Sequence, residues 1–188
     1  MKNIAIFASG QGTNAQNLIH FFHNHKSINI SLIVTNKTTA GVLEVAKENH
    51  IESYIANKSL FETGEELISV LKNRKIDLIV LAGFLLKIPK SLIQAFPIVN
   101  IHPSLLPKYG GKGMYGTKVH QAVIDNKDAF SGITIHRVNE IYDKGEILFQ
   151  AKVEVQKEDT AETLQAKIHQ LEYQHYPIII EKDLLPHP

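Results

Sequence analysis

Residues 4–8, Ile-Ala-Ile-Phe-Ala, form an unbroken apolar run that stops at Ser9-Gly10-Gln11-Gly12. Beyond it Leu18, Ile19 and Phe22 recur at helical spacing. That order reads as strand, glycine turn, helix. A second strand is expected over 28–34, closed by Thr35-Asn36-Lys37, then a helix over 40–49 and a strand near Tyr54 and Ile55. Ser59 with Glu62 three residues on reads as a capping box, opening a helix that runs to about Arg74. Residues 76–82 carry no polar side chain except Asp77, the pattern of a strand buried on both faces in a parallel sheet.

Pro89 suits the first turn of a helix ending near Phe96, and 98–101 is a further strand. With two Pro and three Gly, 102–115 reads as loop, and a helix is expected over about 116–125. The rhythm then changes. Strands over 133–138 and 147–155 flank Asp143-Lys144-Gly145, as in a hairpin-like pair. A helix over 160–176 has Leu164, Ile168 and Leu171 on one face and is broken or kinked by Pro177, leaving a short helix or strand over 178–185. The alternation predicts an α/β fold: a mostly parallel sheet with helices on both faces and an antiparallel C-terminal strand pair. No repeat, low-complexity tract or linker interrupts 1–188, so a single domain is expected.

Composition narrows the chemistry. At 188 residues, 44% hydrophobic and 21% charged, the chain has an ordinary globular balance. A net charge of +1, from 20 Lys and Arg against 19 Asp and Glu, disfavours a nucleic-acid partner. The absence of cysteine excludes a disulfide scaffold, a Cys-ligated zinc, an Fe–S cluster and a thiol nucleophile. The longest apolar run, 78–86, is about nine residues where a membrane span needs about 20. The N-terminal run is also short for a signal peptide, so a cytoplasmic protein with no membrane partner is expected.

Three places carry candidate chemistry. A glycine turn between a strand and a helix aims backbone N–H groups at one spot beside the positive end of the helix dipole, which suits a phosphate. Here Gly10, Gln11, Gly12, Thr13 and Asn14 form it. The third glycine of a dinucleotide fingerprint and the Lys of a P-loop are missing, which favours a single phosphate; the alternative is a plain turn. Asn100 and His102, two apart at the end of a strand, share one face, and Pro103 keeps His102 extended. An amide donor beside an imidazole suits attack on a carbonyl carbon, against the alternative of a hydrogen-bonded loop histidine. Asp143 lies in the loop between the last two strands, as a turn residue or as the carboxylate that raises an imidazole's pKa. His20, His23, His25 and His50 look like solvated helix ends.

Four motifs converge: Ser9-Gly-Gln-Gly-Thr-Asn14, Leu81-Ala-Gly-Phe84, Asn100-Ile-His-Pro-Ser-Leu-Leu-Pro107, and Gly132-Ile-Thr-Ile-His136 running to Asp143-Lys-Gly145. On these the chain resembles the folate-dependent glycinamide ribonucleotide formyltransferases of purine biosynthesis, over nearly its whole length. The resemblance implies a Rossmann-like formyltransferase fold. It implies transfer of the formyl group of 10-formyltetrahydrofolate, a co-substrate, to the amine of glycinamide ribonucleotide, with no metal. Asn100, His102 and Asp143 match the family's catalytic trio, with protonated His102 and Asn100 stabilising the oxyanion. Gly10 to Asn14 match the phosphate-holding turn, and Glu172, with His169 one helical turn before it, matches the ribose-binding carboxylate. The folate would lie against Leu85, Leu86, Ile88 and Ile98 and under the loop carrying Val138, Glu140 and Ile141. His136 matches a family position without an assigned role. The sequence departs from the family at Leu85-Leu86-Lys87 and in the Gly-rich stretch 108–116.

Related functions fit less well. A methionyl-tRNA formyltransferase is expected to carry a further C-terminal domain, whereas this chain runs 45 residues past Asp143. A 10-formyltetrahydrofolate hydrolase is expected to carry an N-terminal regulatory domain. A phosphate-binding module without catalysis would not need the trio. The family includes monomers and homodimers, and both stay open.

Overall fold

The computed structural model describes residues 1–185, whose contacts gather into two compact units. The first unit holds Met1–Val99 with residues 180–185, and the second holds Asn100–Ile179.

The first unit contains β1 (Lys2–Phe7), α1 (Thr13–Phe22), β2 (Ile28–Thr35), α2 (Val42–Glu48), β3 (Ser53–Ile55), α3 (Leu60–Thr63), α4 (Glu65–Asn73), β4 (Ile76–Leu81) and α5 (Lys90–Ala95). Its strands lie in the order β3-β2-β1-β4, all parallel. Ile4, Ile6, Phe7, Leu32, Ile33, Leu78 and Ile79 are fully buried, as both-face burial requires. The helices add apolar stripes, Leu18 and Phe22 from α1 and Leu67 and Leu71 from α4. Asp77, the polar exception in β4, sits where the β1–β4 register slips between Asn3 and Ile4. Its carboxylate accepts from the Asn3 N–H at 2.8 Å and from Lys2 Nζ at 2.9 Å, so a side chain replaces the missing ladder bond.

Two local expectations fail in this unit. Residues 59–74 do not form one capped helix. Gly64, at φ 75°, ends α3 and starts α4, and Ser59 donates to Asn57 Oδ1 instead of capping. Asn57 Oδ1 accepts from the Leu60 N–H at 3.2 Å and does that work. Nor is His25 a solvated helix end. Its Nδ1 accepts from the N–H groups of Ser27 and Ile28, and its Nε2 meets Glu181 at 3.1 Å.

β5 (Ile98–His102) carries the chain from the first unit into the second, which also contains α6 (Thr117–Asp125), β6 (Phe130–Arg137), β7 (Ile147–Glu154) and most of α7 (Ala161–Leu184). Strand order here is β5-β6-β7, and β6 and β7 are antiparallel, as the hairpin pattern predicts. Of the expected break or kink at Pro177, the break does not occur: α7 continues through it as one helix of 24 residues. A proline removes one backbone bond, and the burial of Tyr176, Pro177 and Ile180 keeps the helix continuous across the gap.

Candidate active site

The glycine turn belongs to the first unit. Gly12 occupies the N-cap position of α1 at φ 84°, and its carbonyl accepts the Gln16 N–H at 2.8 Å. A Cβ there would come within 2.9 Å of the Val42 backbone, so glycine is required both by conformation and by space. No side chain caps α1 and no acidic residue stands in its first turn. Its leading N–H groups and helix dipole are thus arranged for an anion. Gly10, Gln11 and Thr13 are exposed and Asn14 is half-buried. Ser9 braces the turn: its hydroxyl donates to Asn36 Oδ1 at 2.5 Å and accepts from the Leu85 N–H at 3.0 Å. Of the folate candidates in this unit, Leu85 is exposed and Leu86 half-buried, whereas Ile88 and Ile98 are buried.

The second unit brings the trio together. Asn100 and His102 project from the end of β5, and Asp143 comes from the β6–β7 loop with φ 54°. The His102 Nε2 lies 2.8 Å from the Tyr109 carbonyl. A carbonyl only accepts, so Nε2 carries the proton and the Nδ1 lone pair is left 3.8 Å from Asp143 Oδ2. That same carboxylate oxygen accepts the Gly111 N–H at 2.8 Å, which gives the Gly-rich stretch a role the sequence does not reveal.

His136 completes the arrangement. It is 2% exposed, and its Nδ1 donates to the Arg137 carbonyl at 2.8 Å. Its Nε2 therefore accepts from Asn100 Nδ2 at 3.1 Å and lies 3.6 Å from Asp143 Oδ1. This fixes the Asn100 amide with nitrogen towards His136, leaving its second N–H to donate elsewhere. The signal for His136 was its alternation with Thr134 and Gly132 along one strand, which puts all three on one face.

Electrostatics set the resting protonation. Burial pulls His102 below its ordinary 6.5, and the Asp143 charge and the Tyr109 carbonyl only partly restore it. Burial pushes Asp143 up, but the neighbouring His136 and His102 rings, which favour the carboxylate once they carry a proton towards it, and the Gly111 N–H outweigh that and hold it below the usual carboxylate range. The resting pair at neutral pH is thus a carboxylate facing an imidazole lone pair, a geometry that improves when the ring takes up a proton.

Among the remaining candidates, Val138 is half-buried, and Glu140 and Ile141 are exposed. On α7, Glu172 is 5% exposed, and its charge adds to burial in raising Tyr176. His169 is half-buried and stacks on Tyr173. His120 on α6, unremarked in the sequence, is 1% exposed, its Nδ1 has no hydrogen-bond partner, and burial drives its pKa down to about 4 with help from His169 and His102. Among the described residues no group of His, Cys, Asp or Glu is arranged to hold a metal ion, and no helix is long and apolar enough to cross a membrane.

Comparison with known proteins sets this geometry in context. Residues 2–180 match the formyl transferase family model. The chain is 43% identical to the chloroplastic phosphoribosylglycinamide formyltransferase of Arabidopsis thaliana over 95% of this chain, and it spans 64% of that relative's length. It is 36% identical to the phosphoribosylglycinamide formyltransferase of Bacillus subtilis, over 97% of this chain and 94% of the relative. The crystal structure of phosphoribosylglycinamide formyltransferase from Bacillus halodurans superposes with a TM-score of 0.88 at 35% identity, covering 98% of this chain and 96% of the other.

Proposed function

The chain belongs to the formyl transferase family, and from that membership we propose that it transfers the formyl group of 10-formyltetrahydrofolate to the amine of glycinamide ribonucleotide, by direct attack through a tetrahedral intermediate. The observation that carries this reading is the junction of Asn100, His102, Asp143 and His136, an amide donor and an imidazole lone pair beside a half-buried carboxylate. The names of the relatives supply the substrate class.

In this reading the nitrogen of the glycinamide amine bonds to the formyl carbon and the bond from that carbon to the folate N10 breaks. Asn100 donates its second amide N–H to the oxygen that gains charge. His102 takes the amine proton on Nδ1, through a water ordered by Asp143, and later yields it to the departing N10. The ring thus becomes cationic during the reaction and is not so at rest, a different reading from the protonated His102 that the resemblance implies. Asp143 stabilises the imidazolium as it forms. His136 keeps Asn100 oriented.

The turn from Gly10 to Asn14 is assigned the ribonucleotide phosphate, and Glu172, with His169, the ribose. Leu85, Leu86, Ile88, Ile98, Val138, Glu140 and Ile141 are assigned the folate, with Ile88 and Ile98 contributing packing beneath it. We take residues 1–188 as one formyltransferase domain acting in the cytoplasm, as monomer or homodimer; the unbroken family match supports the single domain. The test is tetrahydrofolate release by the purified chain. Release that requires glycinamide ribonucleotide supports the reading. Release without it indicates hydrolysis, and no release from folded protein at saturating substrates refutes the reading.

A further inference from the structure

The loop that holds His102 is itself held by a hydrogen-bond circuit from β6 and β7. Residues 104–108 close on themselves: Ser104 Oγ donates to the Lys108 carbonyl at 2.6 Å, and the Lys108 N–H donates to the Leu105 carbonyl at 3.1 Å. Three further backbone groups of that turn, the Ser104 carbonyl and both polar groups of Leu106, are met by side chains of β6 and β7. Thr134 Oγ1 donates to the Ser104 carbonyl at 2.7 Å and accepts from the Leu106 N–H at 3.0 Å. Gln150 Nε2 donates to the Leu106 carbonyl at 3.1 Å and to Thr134 Oγ1 at 2.9 Å.

The Thr134 hydroxyl and the Gln150 amide nitrogen are both fully used. A hydroxyl has one proton and two lone pairs, and Thr134 spends all three; an amide nitrogen has two protons, and Gln150 spends both. Thr134 and Gln150 stand directly opposite each other in the antiparallel register, where side chains meet most closely. Gly132, two residues before Thr134 on the same face, leaves the space that Leu105 fills. A Cβ there would lie 2.7 Å from the Leu105 side chain and 2.0 Å from the Ala151 carbonyl. Alternate residues of β6 thus seat Leu105, pin the turn and contact Asn100 and Asp143.

Tyr109 follows this turn directly, and its carbonyl takes the His102 Nε2 proton. We infer that Gln150, acting through Thr134, is a positioning residue for His102: the circuit sets where the Tyr109 carbonyl sits, and so which ring nitrogen is free. This rests on the assignment of His102 to proton transfer in the proposed reaction.

The variant Gln150→Ala tests it, because Gln150 is exposed and its loss leaves the core intact. Ring ¹⁵N shifts read the His102 tautomer directly and need no activity. Wild type shows the proton on Nε2, and Q150A shows a mixture of tautomers. If the enzyme is active as proposed, kcat of Q150A falls about 10-fold while both KM values stay within about two-fold, the signature of lost transition-state positioning. Thr134→Ser, which keeps the hydroxyl, retains the wild-type tautomer and kcat, whereas Thr134→Val reproduces the Q150A spectrum. An unchanged His102 tautomer in Q150A overturns the inference, whatever the activity, and so does a drop in melting temperature as the only effect. Absence of formyl transfer in the wild type would refute the proposed reaction and leave the tautomer result standing as the test of the circuit.

Discussion

Asp143 makes the protonation of His102 a quantity that can be moved. Its charge raises a ring that burial has lowered below 6.5. In the proposed reaction the free base is the reactive form, so kcat/KM is expected to rise with pH through a His102 pKa that burial sets below 6.5. In Asp143→Asn the raising charge is gone, so the acid limb shifts to lower pH while kcat falls, the imidazolium having lost its partner. A pH–rate profile with an unmoved or raised limb would contradict this. His102→Asn is expected to lower kcat by about 100-fold. His120 gives a separate, stability-based prediction. Its folded pKa of about 4 lies below the unfolded 6.5, so the unfolded state binds the extra proton between those values. Its contribution to stability is complete above pH 6.5 and is lost as pH falls towards 4, on the order of 3 kcal/mol. Urea unfolding across that range should therefore be steep in wild type and markedly flatter in His120→Leu, with His102 and His169 supplying a residual slope in the same sense. An equally steep variant would remove His120 from the acid response. Asn100 and His102 were legible as a pair because strand spacing puts them on one face; Asp143 read equally well as a turn residue, and only the resemblance joined it to them. His136 was not legible, since its role depends on a contact across 36 positions with Asn100.

Strands and helices were legible where one period dominates. The parallel strands of the first unit and the β6–β7 pair appear where apolar runs and alternation place them. Element ends were harder. Ser59 and Glu62 have capping-box spacing, yet Asn57 wins the cap and Gly64 splits the helix. Pro177 has the local chemistry of a helix end, yet buried neighbours carry α7 through it. In both cases a rule about a few residues competes with packing that local spacing cannot see. The glycine turn is an element whose geometry is directly testable. Gly12→Ala places a methyl against Val42 at positive φ, and should lower the unfolding free energy by about 1–3 kcal/mol. It should also raise KM for the ribonucleotide, because the leading N–H groups of α1 shift. Wild-type stability and KM in that variant would show the turn to be a plain connection.

At the scale of the whole chain, the absence of cysteine excludes thiol chemistry and the near-zero net charge disfavours a nucleic-acid partner. The family match over 2–180 and the likeness to the Bacillus halodurans structure agree with the architecture the apolar pattern implies. What composition cannot carry is the direction of the reaction's atoms. That is settled by following the transferred carbon itself. Supplied with 10-formyltetrahydrofolate labelled with ¹³C in the formyl group and with glycinamide ribonucleotide, the protein should move the label onto the ribonucleotide amine, seen by NMR as a new formamide carbon, in step with tetrahydrofolate release. Label appearing as free formate, or remaining on the folate while His102 and Asp143 are intact, would contradict formyl transfer by this site.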